Sequence, residues 1–302
     1  MYFKNAIDAI GHTPLVEMTQ MSPNKKVKIL AKLEGQNLGG SASIKDRVAK
    51  YMLQKAEQSG ELTKDKIIIE ATSGNTGLGL AWLGHKLGYR VTIVTTDDIS
   101  REKQQLLKLY NAELILTKIE QGTKGAVDKA KELMAQDKRY YMPDQFSNPA
   151  NPLAHYEATG AEIIDDFPYK RIDALIAGIG TGGTIVGISQ RLKEKYPNIK
   201  VIGVESPPGD NISGLRCAGE DFVPPVLDSS LITERTTVTS QQAAIATRQL
   251  LDKEGIFAGL SSGAVVHQAI KVANEMDEGN IVVVLADGGW KYLSLDFWIK
   301  AV

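Results

Sequence analysis

The chain has 302 residues, 35 basic and 36 acidic side chains, one cysteine and four histidines, with 43% hydrophobic and 24% charged residues. That length predicts two domains with a sizeable core, and the composition is that of a folded globular protein. The even charge balance argues against a nucleic-acid binder, Cys217 alone permits no intrachain disulfide and fits a reducing compartment, and His12, His85, His155 and His267 lie too far apart for a sequence-local metal site.

The longest strongly apolar run, 281–286, is far shorter than the roughly 20 residues of a membrane helix. Asp8 interrupts the apolar N-terminal stretch, which has no signal-peptide h-region. A soluble, cytoplasmic protein is expected, with neither membrane nor nucleic acid as partner.

Strands are expected at 27–32, 66–70, 90–95, 112–117, 173–177, 200–204 and 280–286. Several are nearly all apolar, as strands buried on both faces of a parallel sheet are. Helical patterns lie between them. Val48, Met52 and Ala56 share a face, then residues 78–87 follow. Val127, Ala130 and Leu133 form a third pattern, with further helices at 185–195 and 240–254. Val265, Ala269, Val272 and Met276 mark the last. This alternation predicts α/β architecture with right-handed crossovers. The segment 144–152 contains Asn148-Pro149 and Asn151-Pro152, hence an extended loop and a candidate domain crossing. The segment 206–226 is rich in proline and glycine and reads as a long functional loop.

Three glycine-containing turns follow strands and open helices: Thr72-Ser73-Gly74-Asn75-Thr76-Gly77, Gly178-Ile179-Gly180-Thr181-Gly182-Gly183-Thr184 and Gly259-Leu260-Ser261-Ser262-Gly263. Hydroxyls and bare backbone N–H groups at a helix start make an anion site at the carboxyl edge of a sheet. The second turn fits G-x-G-x-x-G, with Glu205 some 20 residues on, so a nicotinamide oxidoreductase is one reading. Against it, Thr181 and Thr184 suit a terminal phosphate dianion, and the motif lies mid-chain. A loop of small residues delivers Lys45 to a helix start, beside Arg47. Positive potential there favours the neutral amine that Schiff-base chemistry needs, although most lysines are simply solvated.

Six segments in register, Gly11-His12-Thr13-Pro14-Leu15, Ser43-Ile44-Lys45-Asp46-Arg47, the turn 72–77, the segment 144–151, the turn 180–184 and the turn 259–263, resemble the cysteine synthases. These are fold-type II enzymes of pyridoxal 5′-phosphate (PLP). The resemblance runs from about residue 5 to residue 295. It implies two open, twisted, mainly parallel sheets flanked by helices, like the tryptophan synthase β-subunit. A smaller mobile domain at 45–150 and a larger one of 1–44 plus 151–302 would hold PLP in the cleft between them.

The resemblance implies roles for these residues. Lys45 is the Schiff-base lysine and also removes the α-proton. Asn75 bonds the ring 3′-oxygen, Gly180, Thr181, Gly182, Gly183 and Thr184 cradle the phosphate, and Ser261 faces the ring nitrogen. Ser262 is the neighbouring alternative, whose plain role would be the helix N-cap. Thr72, Ser73, Asn75, Thr76 and Gln145 hold the substrate carboxylate. The reaction is β-replacement of the O-acetyl or O-phospho group of an activated L-serine by sulfide or another sulfur donor, via an aminoacrylate, giving L-cysteine. Cystathionine or diaminopropionate formation is the alternative within the class. A homodimer is expected, and a sulfur-carrier protein is one possible donor.

His12 and Leu38 depart from the usual Asn and Pro, and the longer 39–45 loop leaves Ser41 and Ser43 as rivals for the family serine. The segment Gly214-Leu215-Arg216 followed by Glu220-Asp221-Phe222-Val223-Pro224 is similar to an actinobacterial branch that uses O-phosphoserine. There Arg216 would bind the leaving phosphate. Alternatively, it pairs with Glu220 or Asp221 at the surface. Cys217 reads as an inert small side chain. His155, Tyr156 and Trp290 read as packing residues, the first two at the domain junction.

Overall fold

The computed structural model describes residues 1–294. They divide into two compact units, one of Met1–Ile10 with Asn37–Ala150, the other of Gly11–Gln36 with the described residues from Asn151 on. The chain first lays down β1 (Leu15–Glu17) and β2 (Val27–Leu33) of the larger unit. It then builds the smaller unit from α1 (Lys45–Ser59), β3 (Ile67–Ala71), α2 (Asn75–Leu87), β4 (Arg90–Thr96), α3 (Arg101–Leu109), β5 (Glu113–Thr117), α4 (Gly122–Gln136) and β6 (Tyr140–Tyr141). After residue 150 come α5 (Ala150–Ala154), a π-turn at His155–Thr159, α6 (Gly160–Asp166), β7 (Ala174–Gly178), α7 (Gly183–Lys195) and β8 (Lys200–Glu205). Then follow β9 (Glu234–Thr237), α8 (Ser240–Glu254), α9 (Leu260–Glu275) and β10 (Gly279–Leu285).

The smaller unit is a four-stranded sheet of order β5-β4-β3-β6, parallel throughout. Its central strand β3 is buried at every residue, which is why Ile67, Ile68 and Ile69 show no alternation of polar and apolar residues. Val48, Met52 and Ala56 of α1 and Leu78, Leu80 and Leu83 of α2 form its main core with Ile68 and Ile93. Ala126 and Ala130 of α4 cover the other face over Ile69 and Val94.

The larger unit has the order β1-β2-β10-β7-β8-β9, with only the β1–β2 pair antiparallel. Strands β2, β7, β8 and β10 pack against α8 and α9, where Ala243, Ala246, Leu250, Val265, Ala269 and Val272 meet Ile176, Ile202, Ile281 and Val283. Two mostly parallel sheets flanked by helices are the architecture the motifs imply. No helix among the described residues is long and apolar enough to cross a membrane.

Residues 1–10 and 37–44 group with the smaller unit, whereas the expected division put all of 1–44 with the larger. Local contacts explain this. Ile7 packs on the smaller unit's core. The Ser41 and Ser43 N–H groups donate to the Asp46 carboxylate at 3.0 Å each. The Tyr110 hydroxyl donates to the Gly40 carbonyl at 2.8 Å.

Candidate active site

In the smaller unit, the start of α1 packs against α2 one turn past its own start. Lys45 is the first residue of α1, and a Cβ built on Gly79 of α2 would lie 3.4 Å from the Lys45 carbonyl oxygen and 3.2 Å from Asp46 Oδ1. A larger side chain at 79 would push the two helices apart. The loop before Lys45 is held tightly. Ser41 Oγ and Ser43 Oγ are 2.6 Å apart, and the Lys45 N–H donates to Ser43 Oγ at 3.1 Å. Both serines are fully buried, so they act as a pair. Ala42 takes φ +42°, a left-handed conformation that L side chains rarely adopt and that the surrounding bonds must impose.

The turn 72–77 opens α2. The Gly74 N–H donates to Thr72 Oγ1 at 3.1 Å. No side chain caps this helix, and Gly74 is its N-cap. The first-turn N–H groups have no acceptor within the helix, so the turn suits a carboxylate. The Thr76 hydroxyl donates to Gln145 Oε1 at 2.6 Å, with both residues buried. Four of the predicted carboxylate residues thus share one turn, and the fifth, Gln145, is joined to it. Buried Lys103 of α3 donates through Nζ to the Ser73 carbonyl at 3.2 Å. Sequence reading missed it because α3 was not expected.

In the larger unit, the turn 180–184 runs from β7 into α7. Gly182, its N-cap, has φ +92°, and a Cβ on Gly183 would run into the side-chain amide of Asn151. Glycine is therefore required at both positions. The Asn151 amide donates to Thr181 Oγ1 at 3.1 Å, and Thr184 Oγ1 lies 3.2 Å from His155 Nε2. His155 Nδ1 lies 3.0 Å from Thr159 Oγ1. His155 was expected to pack at the domain junction. It is a packing residue, fully buried behind the cradle, and both its ring nitrogens lie next to hydroxyls. The signal available in the sequence was the pairing of Asn151 with His155 at helical spacing. Tyr156 turns outward and donates to Glu194 at 2.6 Å.

Gly214 links the cradle to Ser261. A Cβ on Gly180 would lie 2.7 Å from the Gly214 carbonyl oxygen, and one on Gly214 would lie 3.5 Å from Ser261 Oγ. Gly259, not Ser262, is the N-cap of α9. Ser262 Oγ is wholly buried and has no hydrogen-bond partner among the described residues, whereas Ser261 keeps 7% of its surface open.

The long loop is pinned by Arg216. Its Nη2 donates to the Phe222 carbonyl at 2.6 Å, and its Nε lies 3.6 Å from Glu205 Oε1. Glu205 also accepts from Arg235 Nε at 3.0 Å. Arg216 does pair with Glu220, Nη2 to Oε2 at 3.7 Å, but as a buried group and not a surface one, since its side chain is 6% exposed. Cys217 Sγ sits 3.3 Å from the Asp210 carbonyl, consistent with packing. Trp290 is 36% exposed, with Lys291 Nζ 5.1 Å from its ring centroid.

The donor sets fit PLP. The 180–184 turn offers a helix N-terminus, two buried threonine hydroxyls and bare glycine backbone, with no carboxylate in it, as a phosphate dianion needs. The family described as pyridoxal-phosphate dependent enzymes matches residues 6–287. A cysteine synthase of Staphylococcus aureus is 40% identical over 298 residues, covering 96% of this chain and 95% of its own. A crystal structure of O-ureido-L-serine synthase is 36% identical with TM-score 0.93, covering 100% of this chain and 97% of that one. A cysteine synthase structure from Entamoeba histolytica is 33% identical with TM-score 0.91, covering 99% and 91%. The chain belongs to the family of pyridoxal-phosphate-dependent enzymes. Its chemistry is β-replacement of the kind its cysteine synthase relatives perform. The nicotinamide reading is overturned by this family assignment. The carboxylate it called for, Glu205, is also taken up by two arginines.

Proposed function

We propose that the chain makes L-cysteine by replacing the β-substituent of an O-activated L-serine with a sulfur nucleophile. The observation that carries this reading is the close approach of α2, at Gly79 just past the 72–77 turn, to Lys45 at the start of α1 within one unit. When bound, PLP supplies a carbonyl carbon that condenses with amines and a ring that withdraws electrons from the substrate α-carbon.

The chain's residues do the rest. Lys45 Nζ anchors the cofactor, then takes the α-proton and returns it after sulfur addition. Thr72, Ser73, Asn75, Thr76 and Gln145 hold the substrate carboxylate, and Asn75 also serves the ring oxygen. Residues 180–184 hold the phosphate, backed by Asn151 and His155. Ser261 takes the ring nitrogen. A hydroxyl there does not enforce ring protonation, which favours expulsion of a β leaving group over charge storage in the ring.

O-acetylserine is the favoured substrate, because the Arg216 guanidinium is committed to Phe222 and Glu205. One observation favours O-phosphoserine instead. Arg216 Nη1 is buried with no hydrogen-bond partner among the described residues, so it holds a spare donor. We infer further a cytoplasmic homodimer fed by sulfide or a sulfur-carrier protein; sedimentation and cell fractionation test the first two points.

The deciding experiment purifies wild-type and Lys45→Ala protein with PLP and follows cofactor absorbance and cysteine formation from O-acetylserine and sulfide. The reading expects a coloured, active wild type and a variant with altered absorbance and no turnover. A colourless wild type, or a variant with unchanged spectrum, rejects it.

A further inference from the structure

Glu70 is the one charged residue of β3, set among Ile67, Ile68, Ile69 and Ala71, and it is 2% exposed. Burying a carboxyl group costs several kcal/mol unless hydrogen bonds offset it. Here two do. Glu70 Oε2 accepts from the Asp144 N–H at 3.0 Å, and Oε1 accepts from the Gln145 N–H at 3.2 Å. Two successive N–H groups, each aimed at a different oxygen of one carboxyl group, fix that group and the loop to each other. Of the two donor residues, Asp144 sits at φ +52°, a left-handed conformation that needs outside support.

The geometry of Gln145 then follows. Its backbone is held by Glu70 and its Oε1 by Thr76. With Oε1 committed as an acceptor, the amide meets an anion through its Nε2 donors. Glu70 stands on β3 two residues before Thr72, which opens the turn after that strand. One short segment thus carries both the carboxylate turn and the group that fixes the residue joined to it.

We propose that Glu70 is a positioning residue for substrate: its carboxyl group fixes residues 144 and 145 and thereby aims the Gln145 amide at the carboxylate of the amino-acid substrate. This rests on the reading that Thr72, Ser73, Asn75, Thr76 and Gln145 hold that carboxylate. Glu70 touches neither the cofactor's phosphate cradle nor Lys45 in any bond described above. Its loss should therefore spare cofactor loading.

The test uses PLP-loaded wild type and the variants Glu70→Gln, Glu70→Asp, Gln145→Ala and Glu70→Gln/Gln145→Ala. Three quantities are read: cofactor absorbance, thermal midpoint, and affinity for L-alanine, an amino acid with no β leaving group, by calorimetry. Steady-state KM and kcat for O-acetylserine complete the set. A glutamine can accept only one of the two N–H groups, so Glu70→Gln should raise the L-alanine Kd and the KM about tenfold. kcat should change less, and cofactor absorbance should stay as in wild type. Glu70→Asp should recover part of the affinity. In the double variant the loss should match that of Gln145→Ala alone, because Glu70 acts through Gln145. Unchanged affinity in Glu70→Gln overturns the inference, as do fully additive losses in the double variant. If Gln145→Ala itself binds L-alanine normally, the carboxylate reading fails instead.

Discussion

The Thr76 hydroxyl donates to Gln145 Oε1 at 2.6 Å and so joins residues 69 positions apart, from the start of α2 and from the loop after β6. Both are buried, so neither partner can turn to water if the other is lost. Thr76→Val keeps the shape and removes the donor. It should raise KM for the activated serine by about 5- to 30-fold, the equivalent of about 1–2 kcal/mol. Steady-state kinetics check this, and unchanged cofactor absorbance shows that the effect is confined to the substrate.

Stability should depend on pH through Glu70. Burial pushes its carboxyl group up from 4.5 to about 8, against the two N–H bonds that pull it down, with Asp144 adding to the rise. The folded state therefore holds a proton that the unfolded chain releases above 4.5. Stability is full below that value and falls as pH rises towards about 8. In denaturant titrations across this range, Glu70→Gln should flatten the decline. An equally steep decline in the variant would assign it to other groups.

His155→Leu strips the neighbouring Thr159 and Thr184 hydroxyls of a buried partner. Leaving such groups unsatisfied costs about 1–3 kcal/mol each. The variant should unfold at lower urea and bind PLP more weakly, because Thr184 loses its orientation. Cofactor titration of the apo-protein measures the second effect separately.

Arg216→Met removes one half of a buried ion pair and leaves Glu205 with Arg235 alone. Breaking such a pair costs about 3–5 kcal/mol when the remaining charge is uncompensated, so the cost here should lie below that range. Amide exchange at Ala218, whose N–H bonds the Ser206 carbonyl at 2.8 Å, should quicken as the loop loosens. Turnover of O-acetylserine and O-phosphoserine should fall alike. A selective loss of phosphoserine turnover would instead give the spare Nη1 donor to the leaving group.

What the sequence shows of this fold depends on the kind of signal. Strands β3, β4, β7, β8 and β10 are legible because strands buried on both faces must be apolar throughout. The short strands β1, β6 and β9 leave no such run, and α3 is mostly polar, so these were missed. The site turns are legible because glycine and hydroxyl residues at strand-to-helix junctions have few other uses. Their supports are harder to read. Nothing local ties His155 to Thr184, or Arg216 to Glu205, since those partners meet only after the strands have stacked. Glu70 was readable as a lone charge in a buried strand, and its meaning came only with the Asp144 and Gln145 N–H groups.

The order of strands in the larger sheet has a consequence for how the protein is made. β2 pairs with β10, placing Val27 beside Gly279, while its other neighbour is only the three-residue β1. During synthesis the smaller unit has all its strands once residue 150 has left the ribosome. β2 must wait for nearly the whole remaining chain before its second edge is covered. Such distant pairings close slowly, and an uncovered apolar edge invites association with other chains. The growing chain is therefore most exposed to aggregation between the completion of its first unit and the arrival of its last strand.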